Sequence, residues 1–300
     1  VPPEILDDIT LCLLSQKRAF SSIAAFALAS HQCRQIALRR YYEVLHIRSA
    51  QHWVRICQIA GTSEWVRSLD AQTTSFRYKM DGLSQFTSLR ALDLDFSGDG
   101  LSTQNCRATL LFKNMTARLT RMKLTHLPRI DFTLLSLVAS RFPSLEALEL
   151  SCTELLDTSC CWLCFEESST CVVHSPIPDA FTTVHSLAKK ICIALEPLAM
   201  LKTLHLGIFL SDAEVLARHL DRCAAIAIAS PRTGYYIAPP FGPEKCAVCR
   251  PEHGAAVLER ERLAEALFKK SLPTLVLVSF SSWFSASQAG VYSENAPCRQ

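Results

Sequence analysis

Five times along the chain leucine or methionine returns in one spacing: Leu89-x-x-Leu92-x-Leu94, Leu119-x-x-Met122-x-Leu124, Leu145-x-x-Leu148-x-Leu150, Leu201-x-x-Leu204-x-Leu206 and Leu272-x-x-Leu275-x-Leu277. The last two positions of each triplet differ by two, the period at which side chains return to one face of a strand. The first position closes the turn that leads into that strand. Stacked strands of this kind share a leucine column. The central positions stand 30, 26, 56 and 71 residues apart, against a usual repeat of roughly 20 to 29. The long gaps are therefore expected to conceal degraded repeats. Cys223-x-x-Ile226-x-Ile228 splits the longest gap, and Val66 with Leu69 is expected to form the first strand of the stack.

Between the triplets lie stretches with helical spacing, at 132–141, 187–195 and 212–222, the last opening with a Ser211-x-x-Glu214 capping box. A further helix is expected over 255–270, where Leu258, Leu263 and Leu267 lie among Glu and Arg residues that suit a solvated face. Strand, helix, strand is thus the repeating unit, and the fold class is α/β: an irregular leucine-rich-repeat solenoid with parallel strands inside and helices outside, over residues 66–285. Cys-containing insertions interrupt it near 151–178 and 230–254. Residues 286–300 mix Ser, Gly, Asn and Pro without period and read as a flexible tail. With 49% apolar residues the chain can bury a core of this size.

The first residues follow a different pattern. Ile5, Ile9 and Leu13 recur near every fourth position, and Pro2 and Pro3 suit a first helical turn. Ser22 is placed to cap a second apolar helix running to Ala29. A third helix over 31–40 alternates Cys33, Ile36, Ala37 and Arg40 in and out. Residues 1–47 thus form a small three-helix module. Residues 48–65 form a connecting helix, capped by Ser49, with Trp53, Ile56, Cys57 and Ala60 on one face and Gly61 as its stop.

Val1-Pro2-Pro3-Glu4-Ile5-Leu6-x-x-Ile9, followed by an apolar helix and then Ser30-x-x-Cys33-Arg34-x-Ile36-Ala37, resembles the F-box motif over about the first 45 residues. Ile36 stands near the place of the tryptophan that often follows the Cys-Arg pair, and Ser22-Ile23 replaces the usual Asp-Leu before the middle helix. F-box proteins often continue into leucine-rich repeats, and fungi encode large sets of them. The resemblance implies a substrate-recognition subunit of a Skp-cullin-F-box ubiquitin ligase. Its N-terminal helices would bind the Skp-type adaptor, with Pro2, Ile5, Leu6, Ile9, Leu13 and Leu28 as contacts, and its repeats would bind a target protein whose identity the sequence does not disclose. Packing of three helices against one another is the alternative use of the same apolar residues. A repeat scaffold with no ligase role is the alternative function.

Composition narrows the partners. A net charge of +3 gives no strongly basic face for nucleic acid or anionic lipid. The longest apolar runs, such as 23–29 and 224–229, fall far short of the roughly 20 residues that cross a bilayer. The first residues show no basic segment followed by an apolar one, so a cytoplasmic or nuclear setting with mostly reduced thiols is expected.

No phosphate-binding loop, His-Glu-x-x-His or Gly-x-Ser-x-Gly occurs, and the chain is expected not to be an enzyme. The 14 cysteines include two close pairs, Cys161-x-x-Cys164 and Cys246-x-x-Cys249. Four thiolates at such spacing satisfy a tetrahedral zinc ion. A rival set lies in one segment, Cys161, Cys164, Cys171 and His174. The bland alternative is that these thiols are small core residues with no cofactor at all. Joining the two pairs would require the proline-rich segment 242–254 to fold back across several repeats. Trp283 and Phe284, after the last triplet, are expected to cover the open end of the repeat core, with a partner-binding anchor as the alternative.

Overall fold

Pro3 opens the first helix, α1 (Pro3–Gln16), because its fixed φ suits the first turn and the amide it lacks would be unpaired there in any case. Lys17 is extended and ends α1, and Ala19, also extended, precedes α2 (Phe20–Ala29). Ser30 is extended as well: it ends α2 and caps α3 (His31–Tyr42) by accepting from the Cys33 N–H at 3.1 Å. Ser22, expected as a cap, lies inside α2 instead, its hydroxyl donating to the Lys17 carbonyl at 2.9 Å. The three helices enclose Leu14, Ile23, Ala27 and Ala37, with Leu13, Phe26 and Tyr41 packed against them. Alanine at 27 and 37 leaves room for close helix approach.

The structure, a computed structural model, describes residues 1–78, 80–100, 102–152, 183–208, 210, 214–219, 222–223, 246–281 and 284. Cys161, Cys164, Cys171, His174, Ser211, Ile226, Ile228, Trp283 and the expected tail lie outside them. Two compact units divide the chain: Val1–Arg129 with Leu137–Leu148, and Ile130–Ser136 with Glu149–Gln300. The strands are β1 (Val44–Ile47), β2 (Ser68–Gln72), β3 (Ala91–Asp95), β4 (Arg121–Leu127), β5 (Ala147–Cys152), β6 (Thr203–Gly207) and β7 (Leu277–Phe280). They form one seven-stranded sheet in chain order, β1-β2-β3-β4-β5-β6-β7. The pairs β1–β2, β2–β3, β3–β4 and β6–β7 are parallel.

In the first unit the register places Leu45, Leu69, Leu92 and Met122 in one row, and Ile47, Ala71, Leu94 and Leu124 in the next. All eight are buried. The intervening row, His46, Asp70, Asp93 and Lys123, is polar and reaches solvent. This alternation is the physical content of the leucine spacing. The first strand of the sheet is β1, one strand earlier than Val66 with Leu69 had suggested.

A repeated device starts the strands. Two consecutive N–H groups donate to one carbonyl of the preceding strand's start: Arg67 and Ser68 to Glu43, Arg90 and Ala91 to Arg67, Thr120 and Arg121 to Arg90, Glu146 and Ala147 to Thr120. In the second unit Val276 and Leu277 donate in the same way to Lys202. A tight turn precedes each of four strands, with Leu89 N–H donating to Phe86 O, Leu145 to Phe142, Leu201 to Leu198 and Leu275 to Leu272.

That turn corrects the fifth triplet. Leu275, not Leu272, is the turn-closing residue, and the register pairs Leu204 with Val278 and Leu206 with Phe280. The last copy is therefore Leu275-x-x-Val278-x-Phe280, three residues later than the leucines suggest, and Leu277 is 54% exposed.

Helices fill the connections. In the first unit α4 (Ala50–Ile56) is capped by Ser49, which accepts from the His52 N–H at 3.2 Å, and α5 (Thr62–Trp65) follows Gly61. Gly61 has φ of +86°, the left-handed conformation that favours glycine. Trp53 of α4 is fully buried, edge-on to Phe76 at 4.7 Å and tilted against Phe86 at 5.7 Å. Beyond it come α6 (Gln104–Phe112) and then α7 (Phe132–Arg141), which has the expected bounds and is divided between the units after Ser136.

In the second unit α8 (Val184–Leu195) is capped by Thr183, and α9 spans Glu214–His219. The last helix, α10 (Cys249–Ser271), begins six residues before the expected 255. Pro251, read from sequence as part of a surface excursion, sits in its first turn, where no intrahelical N–H bond is lost. Phe284 lies beside Gly254 of α10. No helix among the described residues is long and apolar enough to cross a membrane.

Candidate functional site

Two sets of side chains were singled out by the sequence. Of the six docking candidates, Pro2, Ile5, Ile9 and Leu28 face solvent, Ile5 at 51%, Ile9 at 41% and Leu28 at 75% exposed. Leu6 is buried, and Leu13 is half-buried against the helix core, so both present less surface than the other four. Ile5, Ile9 and Cys12 fall on one exposed face of α1. Leu11 and Phe20 are exposed as well and were missed, since the F-box pattern gives them no weight. The module's rigidity comes partly from Asp7, which accepts two hydrogen bonds from Arg40 across α1 and α3 and lies 3.6 Å from Arg39.

The second set lies within the second unit. Among the described residues one group has metal-ligand chemistry: His219, Cys223, Cys246 and Cys249, whose ligand atoms all lie within 4.8 Å of one another. His219 ends α9 and Cys223 follows four residues later in a short π-helical turn. Cys249 is the first residue of α10, and Cys246 stands one turn before it, its carbonyl accepting from the Arg250 N–H at 3.0 Å. The Cys223 and Cys249 Sγ atoms are 3.8 Å apart, and Cys249 Sγ is 3.4 Å from His219 Nδ1. His219, Cys223 and Cys249 are buried, and Cys246 is half-buried.

Electrostatics separate the thiols. Burial raises Cys246, but the Cys249 and Val248 N–H groups and the Cys223 and Cys249 thiols outweigh it, so its pKa falls below the ordinary thiol value. Cys249 is pushed up to about 12, by burial first and then by its bonded thiol neighbours Cys223 and Cys246. Cys246, one turn before α10, is thus the more readily ionised of the pair, and Cys249, at its start, the less. Outside the cluster, Arg222 forms an ion pair with Glu252 at 2.5 Å.

The structure brings together half of the first zinc set read from the sequence, Cys246 and Cys249, while Cys161 and Cys164 lie outside the described residues. Their partners here are His219 and Cys223, which sequence reading had absorbed into a helix and a degraded leucine triplet. The missed signal was His-x-x-x-Cys at helical spacing followed by Cys-x-x-Cys, a zinc-type ligand order. These two pairs need no excursion across several repeats to meet.

Elsewhere, His205 bonds Ser279 and Ser281 in the second unit, and in the first the buried Asp99 carboxylate accepts from Thr73, Thr103 and Arg107, while further clusters lie at the surface. Asp70 accepts from His46 at 2.9 Å and from Arg48 at 2.9 and 2.5 Å, while His126 lies 3.0 Å from Asp95. Exposed pairs of this kind contribute little to stability. No protein-family model matches the chain, and no curated protein matches it.

Proposed function

We propose that this chain is a non-enzymatic interaction protein: an F-box-like helical module followed by an irregular leucine-rich-repeat solenoid. The module would dock on a Skp-type adaptor of a cullin-RING ubiquitin ligase, in the cytoplasm or nucleus, and the repeats would hold a target protein for ubiquitination. The observation that carries this reading is the split within α1. Leu14 joins the module's own core and Leu6 is buried, while Ile5 and Ile9, at positions shared with the F-box pattern, are left outside it. Exposed branched apolar residues one helical turn apart suit a helix-docking contact. The repeat reading is supported by the parallel register, the buried leucine columns and the recurring strand-start carbonyls. The half-exposed polar row beside those columns is the surface offered to a target.

The test is a pull-down of the full chain on a purified Skp-type adaptor, beside the Ile5→Asp/Ile9→Asp variant. Both positions are exposed, so the variant keeps the fold, which circular dichroism checks. Binding by the parent and its loss in the variant is the expected result. Undiminished binding by the variant would remove the docking assignment, and no binding by the folded parent would leave a repeat scaffold outside any ligase.

A further inference from the structure

We infer that His219, Cys223, Cys246 and Cys249 form a structural zinc site that ties the end of α9 to the start of α10. Geometry carries the assignment. Around a tetrahedral ion with Zn–S near 2.3 Å and Zn–N near 2.0 Å, two sulfurs stand about 3.8 Å apart and a sulfur and a nitrogen about 3.5 Å. The cluster shows 3.8 Å between Cys223 and Cys249 and 3.4 Å between Cys249 and His219. Bringing the widest separation, at most 4.8 Å, to such an edge requires a shift of about 1 Å. A disulfide accounts for these positions poorly: its sulfurs would be about 2.05 Å apart, and it would leave two converging ligands unused.

Ligand type selects the metal. Three sulfurs and an imidazole suit Zn²⁺, while Mg²⁺ and Ca²⁺ call for oxygen. Four protein ligands fill a tetrahedron, so the site keeps no open position for substrate and is structural. With three thiolates bound the site carries one net negative charge, and the Arg222 guanidinium, paired with Glu252 at 2.5 Å, belongs to the residue next to Cys223. Binding expels the thiol protons to solvent, so affinity falls as pH is lowered. The ion would fasten together the chain on either side of 224–245, a stretch that includes four of the protein's fourteen prolines. This inference is independent of the adaptor reading.

The experiment begins with the full chain, purified, dialysed against metal-free buffer and analysed for metal. About one zinc per chain is expected, and replacement by Co²⁺ should give the charge-transfer and strong visible bands of a tetrahedral sulfur-rich site. Cys246→Ser, the least buried ligand, should weaken zinc binding about a hundredfold or more, while Cys106→Ser and the Cys161→Ser/Cys164→Ser pair leave it unchanged. Since a ligand variant can fail to fold, alkylation of the parent chain supplies a second readout: zinc should protect Cys223, Cys246 and Cys249 and leave exposed Cys12 and Cys106 reactive. A folded chain with neither zinc nor a Co²⁺ spectrum would overturn the site. So would zinc that depends on Cys161 and Cys164 but survives loss of Cys246.

Discussion

Asp7 on α1 and Arg40 on α3 meet in a two-pronged ion pair across 33 residues of sequence, with Arg40 Nε donating to Asp7 Oδ1 at 2.7 Å. Arg40 also reaches Glu43 at 2.9 Å, immediately before β1. One guanidinium therefore links the first helix, the third helix and the approach to the sheet within the first unit.

Asp7→Asn should lower stability by about 1.5 kcal/mol, the lower end for hydrogen bonds to charged groups because the pair is partly exposed. The Arg40 guanidinium holds the Asp7 carboxyl below its ordinary value of 3.8. A depressed folded pKa contributes stability that is complete above the unfolded value and lost as pH falls through the folded one. Urea titrations at neutral pH and below pH 3.8 should show the difference between parent and variant shrinking in acid.

The register of β7 can be tested by a pair of substitutions. Phe280→Ala removes a buried ring and should cost about 3–5 kcal/mol, whereas Leu277→Ala, at an exposed position, should stay within about 0.5 kcal/mol. Denaturant midpoints decide it, and the reverse order would restore the leucine-based alignment.

Gly207 ends β6 against β5. A Cβ there would lie 2.6 Å from the Ser151 Cα and 2.9 Å from the Leu150 carbonyl oxygen, both backbone atoms that cannot swing aside. Gly207→Ala should therefore lower stability by about 1–3 kcal/mol, read as a fall in thermal midpoint.

Ser30→Ala deletes the cap of α3 and should cost about 1 kcal/mol. Ser22→Ala should cost less, because the Ser22 hydroxyl donates to a carbonyl and caps no helix. Equal effects in urea titrations would argue that Ser22 shapes the start of α2.

Strands β3 to β6 were legible because each carries leucine or methionine at both inward positions and a leucine at the turn. Strand β1 was not: Tyr42 stands where a turn leucine would precede Leu45 by three, so Val44-Leu45-His46-Ile47 offered no triplet. The slip at β7 has the opposite cause. Leu272, Leu275 and Leu277 imitate a triplet, and the hydrogen bond from Leu275 to Leu272, with the pairing of Val278 and Phe280, reveals that the first belongs to the turn before. Pro251 misled because proline signals a loop unless the first turn of a helix is known to lie there. At the cluster, Cys246 and Cys249 announced themselves by spacing. Cys223 did not, since a buried cysteine is also an acceptable member of an apolar column.

The row His46, Asp70, Asp93 and Lys123 stands like marks on a fixed ruler. Parallel pairing spaces its members about 4.8 Å apart, and each stands between two buried neighbours that hold its strand in place. Any one mark can be exchanged without disturbing the ruler, so the chemistry of this face can change by point substitution while the buried columns, and with them the fold, are inherited unchanged.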